Sequence, residues 1–280
     1  MATARATPAL AAYVLHSYDW SESSLIVELF TRSQGRVVVV AKGAKRPTSN
    51  FRPLLLPFHP LAVWLSRAAA DDEGEVKSLR AAEWAGGQPL PATSLMSGFY
   101  LNELLLKGLA RQDPHPALYD AYAETLATLA KPAAAPASST PSAPSAVGAE
   151  DGGAPAGADA EAAALRAFEL VLLRELGWLP ELDVATASAE PVVAERRYTL
   201  QPEAGVVADT AGLPGSAWVA LQAALQHGSL PALRQACAAA AAGLRAPLRH
   251  VLHYHLGTTQ LRTRRVGLQL QRLAAQRLER

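Results

Sequence analysis

The stretch from Leu25 to Phe58, LIVELFTRSQGRVVVVAKGAKRPTSNFRPLLLPF, constrains the fold of this 280-residue chain more than any other. Leu25, Val27 and Leu29 share one side of a period-two pattern, with Glu28 opposite, as in a strand with one buried face. Ser33-Gln34-Gly35 supplies a glycine where a hairpin turn needs positive φ. Arg36–Lys42, RVVVVAK, is β-branched and too short for a helix. Lys42 and the GAKRPTSNFRP loop after it carry four cations, and from Arg32 to Arg52 there are six basic residues and no acid. A small β-domain with such a loop at the rim of its sheet is suited to meet a polyanion.

Around this stretch the pattern predicts five short strands: Ala12–Ser17, Leu25–Thr31, Arg36–Lys42, Leu54–Leu65 and Glu75–Ala81. Pro57 and Pro60 confine the fourth to an edge or a bulge. Five antiparallel strands in so short a stretch suit a small closed barrel of the OB type, and SH3-like barrels fit the count too. After Gly86-Gly87 the period changes. Phe99, Leu101, Leu104, Leu105 and Leu109 repeat at helical spacing, as do Leu118, Tyr122, Leu126 and Leu129. Thr93 or Ser94 is placed to cap the first of these helices. A third helix opens at Asp159 with Leu165, Phe168, Leu172 and Leu176 on one stripe, and Gly177 suits its end. Arg196–Val207 reads as a hairpin, followed by helices at about 214–227, 231–243, 246–256 and from Thr258 to about Arg280. The expected class is α+β: an OB-type barrel over residues 1–85, then a helical domain over 86–280 with a small β insertion. Residues 132–158 are almost wholly Pro, Ala, Ser and Gly, which reads as a linker or looped-out insert.

The formal net charge of +1 conceals a segregation. Residues 1–80 carry +3, residues 81–244 carry −9, and residues 245–280 carry +7. Such a division suggests a nucleic-acid surface assembled from the two basic ends. The lone Cys237 excludes an intramolecular disulfide and a cysteine-based zinc site. No run reaches the roughly 18–20 apolar residues that span a bilayer, and no secretory leader is legible before Leu10. A cytoplasmic, nucleoid-associated setting is expected, with no membrane contact.

No catalytic constellation emerges: neither GxxxxGK[ST] nor GxSxG occurs. His250, His253 and His255 cluster without a cysteine or carboxylate nearby, so no metal or other cofactor is assigned. The expected nucleic-acid contacts are Lys42, Lys45, Arg46 and Arg52 in the loop. Arg36, Lys77 and Arg80 would extend the track from strands, and Arg262, Arg264 and Arg265 would add phosphate contacts from the last helix. Tyr13, Trp20, Phe51 and Trp64 are candidate platforms for unpaired bases. Phe51 is preferred for its place between Asn50 and Arg52, and Trp64 is expected in the core. Arg166, beside Leu165 and Phe168, stands at the lip of an apolar stripe that could receive a peptide ending in an apolar residue and a carboxylate. An alternative reading makes the barrel a protein-binding adaptor, with no role for DNA.

The segments AYVLHSYDWSESSLIVELFTRSQGRVVVVAKGAKRP, LLPFHPL, GEVKSLRAAE, SGFYLNELL and, more weakly, LRAFELVLLRELGW resemble the RecO family of bacterial recombination and repair mediators. The resemblance implies an N-terminal OB-fold, a helical C-terminal domain and a non-enzymatic protein that binds single- and double-stranded DNA and anneals complementary strands. It further implies action with RecR, and often RecF, to load RecA on DNA coated by single-strand-binding protein (SSB), whose acidic, apolar tail the family recognises. By the resemblance, Lys42, Lys45 and Arg46 fall in the family's basic AKGA loop, and Arg166 falls beside the helix that carries the tail-binding groove. Some members hold zinc through four cysteines. The matching LPELDVATASAEPV here has none, so zinc is expected to be absent and apolar packing to replace it. The 132–158 insert departs from the family pattern.

Overall fold

A computed structural model of the chain describes residues 8–66, 76–131, 156–258 and 260–278. Contacts divide it into two compact units: Met1–Ala130, Glu175–Gly177 and His253–Arg280 form one, Lys131–Arg174 and Trp178–Leu252 the other. Helices expected with a separate helical domain therefore group with the barrel in this division. Most of the 132–158 stretch lies outside the described residues, and its last three begin a helix.

In the first unit β1 (Leu10–Asp19), β2 (Leu25–Thr31), β3 (Gly35–Ala41), β4 (Pro60–Leu65) and β5 (Val76–Trp84) close into a barrel, ordered β1-β2-β3-β5-β4. β3 and β5 run parallel, with Val39 opposite Lys77, so the expected all-antiparallel set is corrected. An odd number of strands cannot close with every neighbour antiparallel. β4 starts at Pro60, later than expected, because Phe58 adopts φ 72° and breaks the extended run. The interior is apolar: Val27, Leu29, Val37, Val39, Leu61, Val63, Leu65 and Leu79 converge there. Trp64, expected in the core, alternates to the outward face of β4 and is half-buried.

The second face of β2 is also covered. Beyond a single 3-10 turn at Ala92–Ser94 come α1 (Leu95–Gly108) and α2 (Pro116–Leu129). Ser94 sits at the N-cap without a side-chain cap bond. Phe30 and Tyr13 pack against Tyr119 and Tyr122 of α2 with ring centroids 5.0–6.1 Å apart. A buried polar bridge fixes the seam. Tyr122 Oη donates to Asn102 Oδ1 (2.5 Å), and Asn102 Nδ2 donates to the Leu15 carbonyl (2.9 Å) at the β1 bulge. That carbonyl, left out of the ladder by the bulge, would otherwise be buried without a partner. Gly35, φ +64°, ends the β2–β3 turn directly against the backbone of Asp113, where a Cβ would lie 1.8 Å from a carbonyl oxygen.

The second unit contains α3 (Ala156–Glu175) except its last residue. It adds the paired strands β6 (Val184–Ala185) and β7 (Glu190–Pro191), and a three-stranded sheet of β8 (Arg197–Gln201), β9 (Gly205–Ala208) and β10 (Leu213–Pro214). It also holds α4 (Gly215–His227), α5 (Leu230–Ala239) and most of α6 (Ala241–His255). α6 begins five residues before the expected 246 and runs through Pro247, because Leu244, Leu248, Val251 and Leu252 form a continuous buried stripe. Trp218 is wholly buried and donates to the Tyr198 carbonyl (3.0 Å). After Trp178 the cysteine-free segment is held by buried Leu182 and Val192, and by Gln222 Oε1 accepting from the Leu182 amide (3.0 Å). α7 (Arg262–Leu278) closes the chain in the first unit.

Candidate nucleic-acid interface

Where β3 ends, Gly43 turns the chain at φ +73° and the loop 42–52 folds over the barrel end. Its position is set by Lys45. The Lys45 amide donates to the Ser23 carbonyl (3.0 Å), while Nζ donates to the Ser21 carbonyl (3.0 Å) and lies 3.4 Å from the Asp19 carboxylate. The loop is thereby stapled to the β1–β2 turn, and Ala44 beside it plugs into the barrel core.

The six cations from Arg32 to Arg52 separate into two kinds. Arg32 makes a paired hydrogen bond to both Asp120 oxygens (2.8 Å each), and that contact holds the Asp120 carboxyl below its ordinary range. Arg36 turns inward: Nη1 donates to the Leu106 carbonyl (2.5 Å) at the end of α1, and Nε lies 4.0 Å from buried Glu28. Arg111 approaches the same carboxylate at 3.7 Å. The expected phosphate contact at Arg36 is thus corrected to a structural role, because a carboxylate buried with β2 must be compensated. Lys45 is the staple. Lys42, Arg46 and Arg52 remain exposed and in no ion pair among the described residues.

On β5, Arg80 is exposed, whereas Lys77 Nζ is held by Gln34 Oε1 (2.8 Å). Phe51, preferred above as a base platform, packs half-buried against the barrel core, since its neighbour Leu55 draws that face of the loop inward. Tyr13 is also buried.

The family model described as "Recombination protein O N terminal" matches residues 9–87, and "Recombination protein O C terminal" matches residues 92–140. The DNA repair protein RecO of Verminephrobacter eiseniae is 48% identical over 280 residues, covering 98% of this chain and 100% of its own. That of Variovorax paradoxus is 47% identical, covering 94% and 96%, and that of Delftia acidovorans 44%, covering 98% and 100%. The chain belongs to the RecO family.

The remaining candidate residues of this RecO-family protein lie elsewhere. On α7, Arg262, Arg264 and Arg265 are exposed, as are Val266, Leu270 and Leu273 on a neighbouring stripe. The helix is anchored at its start by Glu103 of α1, a residue the sequence pattern did not single out. Its carboxylate accepts from the amides of Arg262 (2.8 Å) and Thr263 (2.9 Å) and from Thr263 Oγ1 (2.8 Å). A carboxylate there satisfies two orphan amides and meets the positive end of the helix. Only the 160-residue separation hid it.

Arg166 is not an open lip. Its guanidinium is largely buried in a 2.6 Å pair with the wholly buried Glu169, which corrects the expected peptide contact to a structural one. Burial, and after it the same carboxylate, push the Cys237 thiol up to about 12. Exposed Arg174, whose Nη1 donates to the Leu225 carbonyl, instead borders a cleft of about 370 Å³ lined by Leu179, Pro180, Leu225, Glu181 and Gln226. Gln222 engages Glu181 there. No group of three or more His, Cys, Asp or Glu is arranged for a metal among the described residues, and no described helix is long and apolar enough to cross a membrane.

Proposed function

We propose that this chain is a non-enzymatic DNA-binding mediator, working in the cytoplasm, that binds single and double strands through the barrel rim. The observation that carries the reading is the set Lys42, Arg46 and Arg52: exposed, outside any ion pair among the described residues, and on one loop stapled to the barrel. Exposed Arg80 on β5 and the exposed arginines at the start of α7 add further cations. Each cation can neutralise a phosphate and release a counterion, so affinity falls steeply with salt. Annealing follows if one molecule screens two backbones while leaving base edges free. In this reading the protein acts with RecR and RecF to load RecA on SSB-coated strands.

The partner tail of SSB, acidic and ending in an apolar residue and a carboxylate, needs an apolar wall beside an accessible cation. The Arg174 cleft supplies both, and the buried Arg166 does not. Tail-peptide titration with Arg174→Ala tests this, with weaker binding expected and unchanged binding removing the cleft. For DNA, a salt titration of oligonucleotide binding decides against the adaptor alternative. A linear fall of log affinity with log salt is expected, and a flat response would leave the barrel as a protein-binding module.

A further inference from the structure

Of the four aromatic side chains that the sequence offers as base platforms, Tyr13, Trp20, Phe51 and Trp64, the fold leaves one well exposed, on the turn that anchors the cationic loop. Tyr13 is buried, Phe51 is packed on the barrel core, and Trp64 is half-buried on β4. Trp20 is 65% exposed. It sits in the β1–β2 turn, whose shape is set locally: the Trp20 amide donates to the Ser24 carbonyl (3.2 Å), and Ser21 Oγ accepts from the Ser24 amide (3.2 Å). This is also the turn to which Lys45 staples the loop, through Ser21, Ser23 and Asp19.

An exposed indole on a locally fixed turn offers a flat face on which an unpaired base can stack. Here the turn is tied to a loop with three cations in no ion pair among the described residues, so a group that covers the ring must tolerate positive charge. A nucleobase carried on a phosphate chain meets both demands: its backbone satisfies Lys42, Arg46 and Arg52 while its flat face covers the ring. Tyr18, two residues earlier and 47% exposed, stands edge-on to His16 with ring centroids 4.5 Å apart, and offers a second ring along β1.

We infer that Trp20 is the base-stacking residue of the rim, making this a site for unpaired nucleotides in addition to a general polyanion track. The inference rests on the DNA-binding reading above. Paired bases in a duplex present no free face, so Trp20 distinguishes single from double strands, whereas the loop cations do not.

The test uses the full chain with three probes: oligothymidylate, an abasic oligomer of the same length, and a duplex. Trp20→Ala is expected to weaken oligothymidylate binding by about 5- to 150-fold, the span of one base–aromatic stack. Binding to the abasic oligomer and the duplex stays within twofold, on the order of measurement error. Trp20→Phe, which keeps a ring, restores most of the loss. Unchanged oligothymidylate affinity in Trp20→Ala overturns the inference, as does an equal loss on the abasic oligomer. If the unaltered chain binds none of the three probes, the DNA-binding reading falls with it; if it binds all three and only the Trp20 effect is missing, that reading stands and Trp20 alone is lost.

Discussion

The barrel rim and helix α7 look alike in sequence, since both are runs of basic residues with few acids, yet the fold treats them differently. Of the six cations from Arg32 to Arg52, three are engaged in structural contacts, two of them at the β2–β3 turn end of the barrel, opposite the loop. Arg32 binds Asp120, Arg36 compensates Glu28 and closes α1, and Lys45 staples two turns together. The other three are presented from a loop whose backbone is fixed at several points. On α7 the arginines are all carried by one helix, whose first turn is anchored by the Glu103 carboxylate. A charge on a rigid edge holds its position when a ligand arrives. A charge on the first turn of α7 depends on the Glu103 anchor. The comparison teaches that cation density sets attraction, while tethering decides which cations act as a site.

The strongest way to break this ranking is charge reversal at the rim. Lys42→Glu, Arg46→Glu and Arg52→Glu together are expected to lower DNA affinity at least about 100-fold and to reduce the log-salt slope by about 3, one per lost phosphate contact. Fluorescence anisotropy across a salt series reads both quantities. The same change at Arg262, Arg264 and Arg265 should cost less, about tenfold; a larger loss there than at the rim would invert the ranking.

A third variant isolates tethering from charge. Glu103→Ala removes the carboxylate that caps α7 and should destabilise that helix by about 0.5–2 kcal/mol. Hydrogen exchange ought to accelerate in α7 amides and stay slow in β2 and β3; uniform acceleration would mean that Glu103 supports the whole unit. The smallest effect is expected at the staple. Lys45→Ala breaks a pair whose acid partner is mostly exposed, so thermal stability should drop by under about 1 kcal/mol. Binding of oligothymidylate should nevertheless weaken, because the loop and the Trp20 turn lose their common anchor.

Much of the fold was legible because it depends on local pattern. The alternation in β2 and β3, the glycine at 35 and the apolar stripes of α1 and α2 follow from residue order within a few positions. Glu28 shows where such reasoning stops. Its place opposite Leu29 suggested a solvent face, but α2 brings Tyr119 and Tyr122 over the Phe30 side of β2, and the carboxylate is buried with two arginines. Phe51 and Trp64 both end half-buried, the one packed on the barrel core and the other on the outward positions of β4. For Glu28, a neighbouring element remote in sequence decided which face was inside. α6 likewise starts before its proline because tertiary burial of Leu244 outweighs the local break.

For this chain, residue order alone determined a five-stranded barrel with a cationic loop between its third and fourth strands, since strand period, turn glycines and charge are local properties. Which cations stay free, which aromatic ring meets solvent, and which carboxylate caps the last helix were decided only in three dimensions. Those outcomes depend on partners up to 160 residues away, and nothing in a short window records whom a side chain will meet.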